Sequence, residues 1–346
     1  MKYKFETKTI GDCCDIIKKS IHPEKGQVYT CFSLPAFDNS NTPEILNGEE
    51  IKSSKFVLDE NTILFNKLNP KFRRVWNIHS LEKYENTICS TEFLPLKAKA
   101  NIEQDYLYYY VSSPYFTRLM DGIRTGTSNS QQRIDWKQFL REPINVPSLP
   151  IQRKVVSLLR NIDKKIELNN AINNNLEQQA QAYFDELFVV HADPNWSECT
   201  LSDIGSVVAG GTPSKSKPEY YADQGIAWIT PKDLSVNKSK FISHGENDIS
   251  ELGFSKSSAA KMPAGTILFS SRAPIGYIAI AQNEVTTNQG FKSVIPNENI
   301  STAYMYFLLK NLLPTIEGMA SGSTFKEISG AAMKSVPTVM PDADTI

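Results

Sequence analysis

Apolar and polar positions alternate most regularly in the middle of this chain. Steps of alternating three and four residues from Leu159 land on Ile162, Ile166, Asn169, Asn173, Leu176, Ala180, Tyr183 and Leu187, a heptad seam with two polar positions at its centre. Neither Gly nor Pro interrupts it; Pro150 precedes it as a helix-starting proline, and Asp193-Pro194 closes it. The spacing predicts one helix over about 151–189, roughly 55–60 Å long at the usual rise per residue. A stripe this narrow calls for a partner helix along most of its face; an ordinary long core helix is the plainer alternative. Upstream, the runs 28–34, 60–65 and 89–96 read as strands. The stretch 105–120 reads as partly helical, broken or restarted at Pro114, and the Asn/Ser/Pro/Gly-rich stretch 37–48 reads as a loop.

Downstream of the helix the same order of events returns. Thr62-Ile-Leu-Phe65 recurs letter for letter as Thr266-Ile-Leu-Phe269, and Tyr106-Leu-Tyr108 is echoed by Tyr304-Met-Tyr306. Ile10-Gly11 pairs with Ile204-Gly205, Thr125-Gly-Thr-Ser128 with Ser321-Gly-Ser-Thr324, and Val146-Pro147 with Val336-Pro337. Five matches in order, at offsets between 190 and 204 residues, indicate duplication. The expected architecture is a domain over 1–149, the long helix over 150–190 and a second domain over 191–346. Repeat order calls for a second long helix after Pro341, which this sequence ends before, so the seam's partner is expected outside it.

Bulk composition narrows the function classes without choosing one. The 346 residues suffice for two or three domains, and 40% apolar with 22% charged residues is ordinary for a soluble protein. A balance of 37 basic against 38 acidic residues gives no global signal for nucleic acid, so any such binding must come from a local basic face. Met1 opens a charged segment with no apolar stretch behind it, and no apolar run approaches a membrane span, which places the chain in the cytoplasm by expectation. Five cysteines without CxxC spacing argue against a disulfide framework or a zinc site. The four histidines are scattered away from ligand-like neighbours.

Candidate chemistry concentrates in loops. Lys67, Lys71, Arg73 and Arg74 crowd eight residues after the first buried strand, interleaved with Asn66, Asn69, Phe72 and Trp76. Guanidinium, ammonium and amide groups suit phosphates and base edges, whereas a solvated basic loop is the plain alternative. The aligned loop, Ser270-Ser-Arg-Ala-Pro-Ile-Gly276, carries only Arg272 with small hydroxyl residues including Ser271, as befits a duplicated reader of two different targets. Gly210-Gly-Thr-Pro-Ser-Lys-Ser-Lys217 lacks the order of a nucleotide-binding loop. Its glycine amides, Thr212, Ser214, Lys215 and Lys217 still suit DNA phosphates. The Gly/hydroxyl turns 126–129 and 322–325 can cap helices, or place Arg124, Arg133 and Lys326 on DNA. Asn69-Pro-Lys-Phe72 nearly matches the Asn-Pro-Pro-Phe motif of amino-group DNA methyltransferases, but Lys71 breaks it and no Phe-x-Gly-x-Gly methyl-donor loop occurs. A catalytic Ser–His–acid, Cys–His or paired-carboxylate set does not suggest itself either.

Taken together, Gly210-Gly-Thr-Pro-Ser214, Trp228-Ile-Thr-Pro-Lys-Asp-Leu234, Pro263-Ala-Gly-Thr-Ile-Leu-Phe-Ser-Ser-Arg272 with Pro274-Ile-Gly276, Thr287-Asn-Gln-Gly290 and the Val-Pro exits resemble the DNA-specificity subunit of type I restriction-modification enzymes. The resemblance covers essentially the whole chain and is strongest over 200–341. It implies an α+β fold: two duplicated target-recognition domains of mixed α/β structure, each reading half of a split DNA site, separated by a coiled-coil-type helix. It also implies docking of methylation subunits, two in the intact assembly, which carry S-adenosylmethionine, and of motor-nuclease subunits that use ATP and Mg. No catalytic residue, cofactor or metal is then expected in this chain, and Lys232 joins the DNA-contact candidates. The long helix becomes a spacer between readers about one duplex turn apart, with Asn169 and Asn173 setting register against a partner helix. A truncated variant that holds partner subunits without full bipartite reading is the alternative.

Overall fold

The computed structural model describes residues 5–124, 132–322 and 326–342. The chain forms two compact units, Met1–Asn170 and Ala171–Ile346, and the boundary between them falls within one long helix.

Each unit is built around a strand that is apolar on both faces. In Thr62–Asn66, Ile63 and Phe65 join a core with Leu94, Leu96, Leu107, Phe116 and Phe139, while Leu64 joins another with Phe32, Trp76 and Phe93. In Ile267–Ser271, Ile267 and Phe269 likewise face one core, and Leu268 faces another with Ile229 and Phe291. Successive side chains point to opposite faces, so the shared Thr-Ile-Leu-Phe is continuously apolar because both faces are covered. Among the described residues the first unit holds a four-stranded sheet, in the order Cys14–Ile16, Phe93–Ala98, Thr62–Asn66, Val75–Ile78, and a five-stranded sheet that includes Val28–Phe32 and Ile88–Ser90. Its counterpart has five strands centred on Ile267–Ser271 and four centred on Asn247–Ile249 and Ile226–Ile229. Helices Gln104–Val111 and Pro114–Gly122 in the first unit, and Thr302–Asn311 and Leu313–Met319 in the second, supply the outer layer.

Two of the five sequence matches are out of register. Thr9 and Thr200 each cap a short helix whose third residue, Asp12 or Asp203, bonds back to them, so Ile10 is equivalent to Leu201 and not to Ile204. Thr9 pairs with Pro143 and Thr200 with Pro337, which makes Pro143, and not Pro147, the partner of Pro337. The duplication stands, but short Ile-Gly and Val-Pro pairs are too common to fix its register. The stretch 37–48 is also more ordered than a loop. Ser33 Oγ accepts from the Ala36 N–H at 3.1 Å to start helix Leu34–Ser40, and Glu44–Asn47 then pairs with Val28–Phe32. Its polar composition belongs to an edge strand and a capped helix.

The central helix spans Leu149–Asp185, 37 residues, and ends in a single wider turn, Glu186–Val190. One face packs on the units themselves. Gln152, buried, donates to Pro147 O at 2.9 Å and accepts from the Glu103 N–H at 2.8 Å, and Phe184 stacks against Phe188, Tyr304 and Phe307. The heptad seam lies elsewhere on the helix. Ile162, Ile166, Asn169, Asn173, Leu176, Tyr183 and Leu187 are exposed, while Leu159 and Ala180 are half-buried. No helix among the described residues is long and apolar enough to cross a membrane.

Candidate nucleic-acid interface

The same main-chain frame is built twice. In the first unit the Lys67 N–H donates to Glu92 O at 3.0 Å, and Lys67 O accepts from the Ile134 N–H at 3.0 Å. In the second, the Ser271 N–H donates to Gly290 O at 2.7 Å, and Ser271 O accepts from the Ile328 N–H at 3.1 Å. The following residue bridges to the same neighbouring segment, Leu68 opposite Arg133 and Arg272 opposite Glu327. Beside each frame lies a turn closed by a side chain: Ser90 Oγ accepts from the Glu92 N–H at 3.3 Å, and Asn288 Oδ1 from the Gly290 N–H at 2.9 Å. What differs is the side chains that the frames present. Position by position, Lys67, Leu68 and Arg133 correspond to Ser271, Arg272 and Glu327, so the bridge joins leucine to arginine in one unit and arginine to glutamate in the other. Arg133 pairs with Glu92 at 2.9 Å, whereas Glu327 receives Arg272 at 3.5 Å and Lys292 at 3.7 Å.

In the second unit this frame opens onto a cavity of about 640 Å³ lined by Thr212, Lys215, Lys232, Arg272, Asn288 and Gln289, with Tyr221, Trp228, Thr230, Glu246 and Asn247 completing the wall. The segment 210–213 is fixed from several sides. The Gly210 N–H donates to Phe291 O at 3.3 Å, the Gly211 N–H to Thr287 O at 2.9 Å, Trp228 Nε1 to Gly211 O at 3.0 Å and Tyr221 OH to Pro213 O at 2.9 Å. A Cβ on Gly210 would lie 1.9 Å from Asn288 O, and one on Gly211 2.2 Å from the Ala259 nitrogen, so both positions need glycine for close approach. Their amides are already bonded and do not face phosphate, contrary to the expectation from sequence. Thr212 Oγ1 accepts from the Gln289 N–H at 3.4 Å, and Lys232 pairs with Glu246. Cations, amide groups and hydroxyls thus converge from six segments, the donor and acceptor mixture that base edges and phosphates require.

Outside the cavity wall, Ser214 Oγ bonds Ser216 Oγ at 2.9 Å, Lys217 pairs with Glu219 at 3.8 Å, Ser271 is buried and Lys326 is exposed.

The first unit presents its cations on the loop after Thr62–Asn66. Arg74 holds Asp38 through two bonds of 2.7 Å, and Arg73 donates to Ser112 O at 3.2 Å. Lys71 and Arg74 lie 5.0 and 4.9 Å from the ring centre of the half-exposed Phe72. The methyltransferase-like Asn69-Pro-Lys-Phe72 is a tight turn: Asn69 is left-handed (φ 50°) and its carbonyl accepts from the Phe72 N–H at 3.0 Å. Arg124 pairs with Asp121. The turns 126–129 and 323–325 lie outside the described residues. Burial raises the thiols of Cys13 and Cys31 to about 11 and that of Cys14 to about 12, so they stay protonated near neutrality.

Residues 2–178 and 194–345 match the family model described as the type I restriction modification DNA specificity domain. This chain belongs to that family. Among curated relatives of the specificity domains, the type I restriction enzyme MjaIX specificity subunit of Methanocaldococcus jannaschii is 40% identical over 163 residues, 46% of this chain and 38% of that protein. The HindI specificity subunit of Haemophilus influenzae is 24% identical over 85% of this chain and 82% of its own length. A solved structure, the type I restriction-modification system S subunit from M. genitalium, shares the fold at 18% identity and a TM-score of 0.56, covering 98% of this chain and 85% of that one.

Of the residues singled out by sequence in the second specificity domain, the cavity gathers Thr212, Lys215, Lys232 and Arg272. Asn288 and Gln289 belong to a motif that carried the family resemblance, but their uncharged amides gave no signal of a contact. Tyr221 and Asn247 had no sequence signal; pairing of Tyr221–Ala222 and Ile226–Ile229 with Asn247–Ile249 brings them in.

Proposed function

We propose that this chain is the DNA-reading subunit of a type I restriction-modification assembly, with each specificity domain reading one part of a split, asymmetric duplex site. The observation that carries this reading is the repeated main-chain frame with different side chains mounted on it. One architecture is held constant while Lys67, Leu68 and Arg133 in one domain give way to Ser271, Arg272 and Glu327 in the other. Two identical receptors would bind a symmetric target; two similar receptors with different charge suit two different half-sites. In this reading methylation subunits dock on the chain and bring S-adenosylmethionine, motor-nuclease subunits bring ATP and Mg, and catalysis lies with those partners. The candidate contacts are Lys67, Lys71, Arg73, Arg74, Arg124 and Arg133 in the first domain. Those in the second are Thr212, Ser214, Lys215, Lys217, Lys232, Ser271, Arg272 and Lys326. The exposed seam of the long helix takes a partner helix, and the subunits dock on that helical framework. Selection from random duplexes by the chain with its methylation subunit is expected to recover two short conserved blocks around an unconserved gap. One continuous block, or no enrichment, overturns the proposal.

A further inference from the structure

We propose that Lys18, Trp136 and Lys137, beside Lys67, form a sequence-independent contact of the first domain with the sugar–phosphate backbone of duplex DNA. This rests on the reading that the chain binds DNA. The four residues come from three separate segments. Lys18 follows strand Cys14–Ile16, Lys67 follows Thr62–Asn66, and Trp136 and Lys137 open helix Trp136–Arg141. The bond from the Ile134 N–H to Lys67 O ties the last two together.

Trp136 leaves 40% of its surface in solvent, and the Lys18 ammonium sits 4.0 Å from its ring centre, with that of Lys137 at 5.8 Å. Arg74, Arg124 and Arg133 of this domain are tied to acids, to Asp38, Asp121 and Glu92. Lys18 and Lys137 share one ring, and among the described residues neither they nor Lys67 form an ion pair with a carboxylate. Burial, and then the neighbouring Lys67 charge, lower the Lys18 ammonium below the ordinary lysine value. Asp135 caps the helix through the Lys137 N–H without pairing with an ammonium, so like charges gathered around an exposed ring are relieved by an anion. Duplex DNA supplies one phosphate charge about every 1.7 Å of its axis and a deoxyribose that an indole face can cover. Lysine is a flexible point charge without a fixed fork, so the contact neutralises phosphate and leaves base discrimination to other groups.

The test uses the full chain with its methylation subunit, a labelled duplex carrying the selected site, and a scrambled duplex, titrated across salt concentrations. Lys18→Gln and Lys137→Gln are each expected to flatten the slope of log K against log salt by about 0.9. Both should weaken the two duplexes by the same factor, with the thermal midpoint and the selected sequence unchanged. Trp136→Phe, which keeps a ring under Lys18, should reduce the DNA-induced quenching of tryptophan fluorescence and leave the share contributed by Trp228. An unchanged slope in the double lysine variant, while the parent still selects its site, overturns this contact alone. A shift in the selected bases replaces it with base reading, and a parent that binds no duplex overturns both this proposal and the functional reading beneath it.

Discussion

Arg272 is the residue on which the proposed reading by the second domain rests most directly. It follows a strand buried on both faces, bridges to Glu327 and lines the cavity with Asn288 and Gln289. Its pair with Glu327, at 3.5 Å and partly exposed, orients the guanidinium without consuming its fork of donors. Arg272→Ala is therefore expected to relax selection in one half-site only, by about 1–3 kcal/mol if the contact is bidentate to a base. Competitive binding to duplexes mutated in either half measures this, and equal loss on every sequence would make Arg272 a phosphate contact. A guanidinium after a buried strand is visible in sequence because type and place coincide. The role of Gly210 and Gly211 is not, because a phosphate-cradling glycine and one that admits a neighbouring carbonyl look alike until the chain is folded.

At the scale of elements, the long helix was the most legible part of the chain, and its fastening to the second unit was hidden. Period alone located the helix, since no Gly or Pro competes with it. Glu177, outside the seam, does the holding: it accepts from Lys310 Nζ at 2.9 Å and Tyr306 OH at 3.1 Å, and Lys240 lies 3.5 Å away. Burial raises the Glu177 carboxyl, but the Lys310 hydrogen bond and charge, the Lys240 charge and the Tyr306 hydroxyl outweigh it and leave the group below its ordinary value of 4.5. A carboxylate depressed in the folded state contributes stability that is complete above the unfolded value and lost as pH falls through the folded one. Glu177→Gln is accordingly expected to cost roughly 1 kcal/mol near neutrality, and less as pH drops below about 4.5. Denaturant midpoints of the two proteins at neutral and acid pH check this, and a constant difference would refute it. The register of the repeat, by contrast, was legible in a signal left unused. Thr9-Ile-Gly-Asp12 and Thr200-Leu-Ser-Asp203 share the capping-box spacing, whose hydrogen bonds tie it to one place in the fold.

For the molecule as a whole, near-zero net charge coexists with local cationic faces, which is why composition alone said so little about partners. The two units have separate cores, one around Phe116 and Phe139, the other around Phe269 and Leu309. Calorimetry of the full chain is expected to resolve two transitions. Gly211→Ala, whose methyl would meet the Ala259 backbone, should lower only one of them, at a cost of about 1–3 kcal/mol. A single transition, or an equal shift of both, would contradict that independence. The frame that recurs in both units is made of amides and carbonyls, which every residue but proline supplies alike. Foldability is thereby uncoupled from the identity of the outward groups. A few point changes in the outward groups can therefore alter what is recognised while the hydrogen bonds of the frame stay in place.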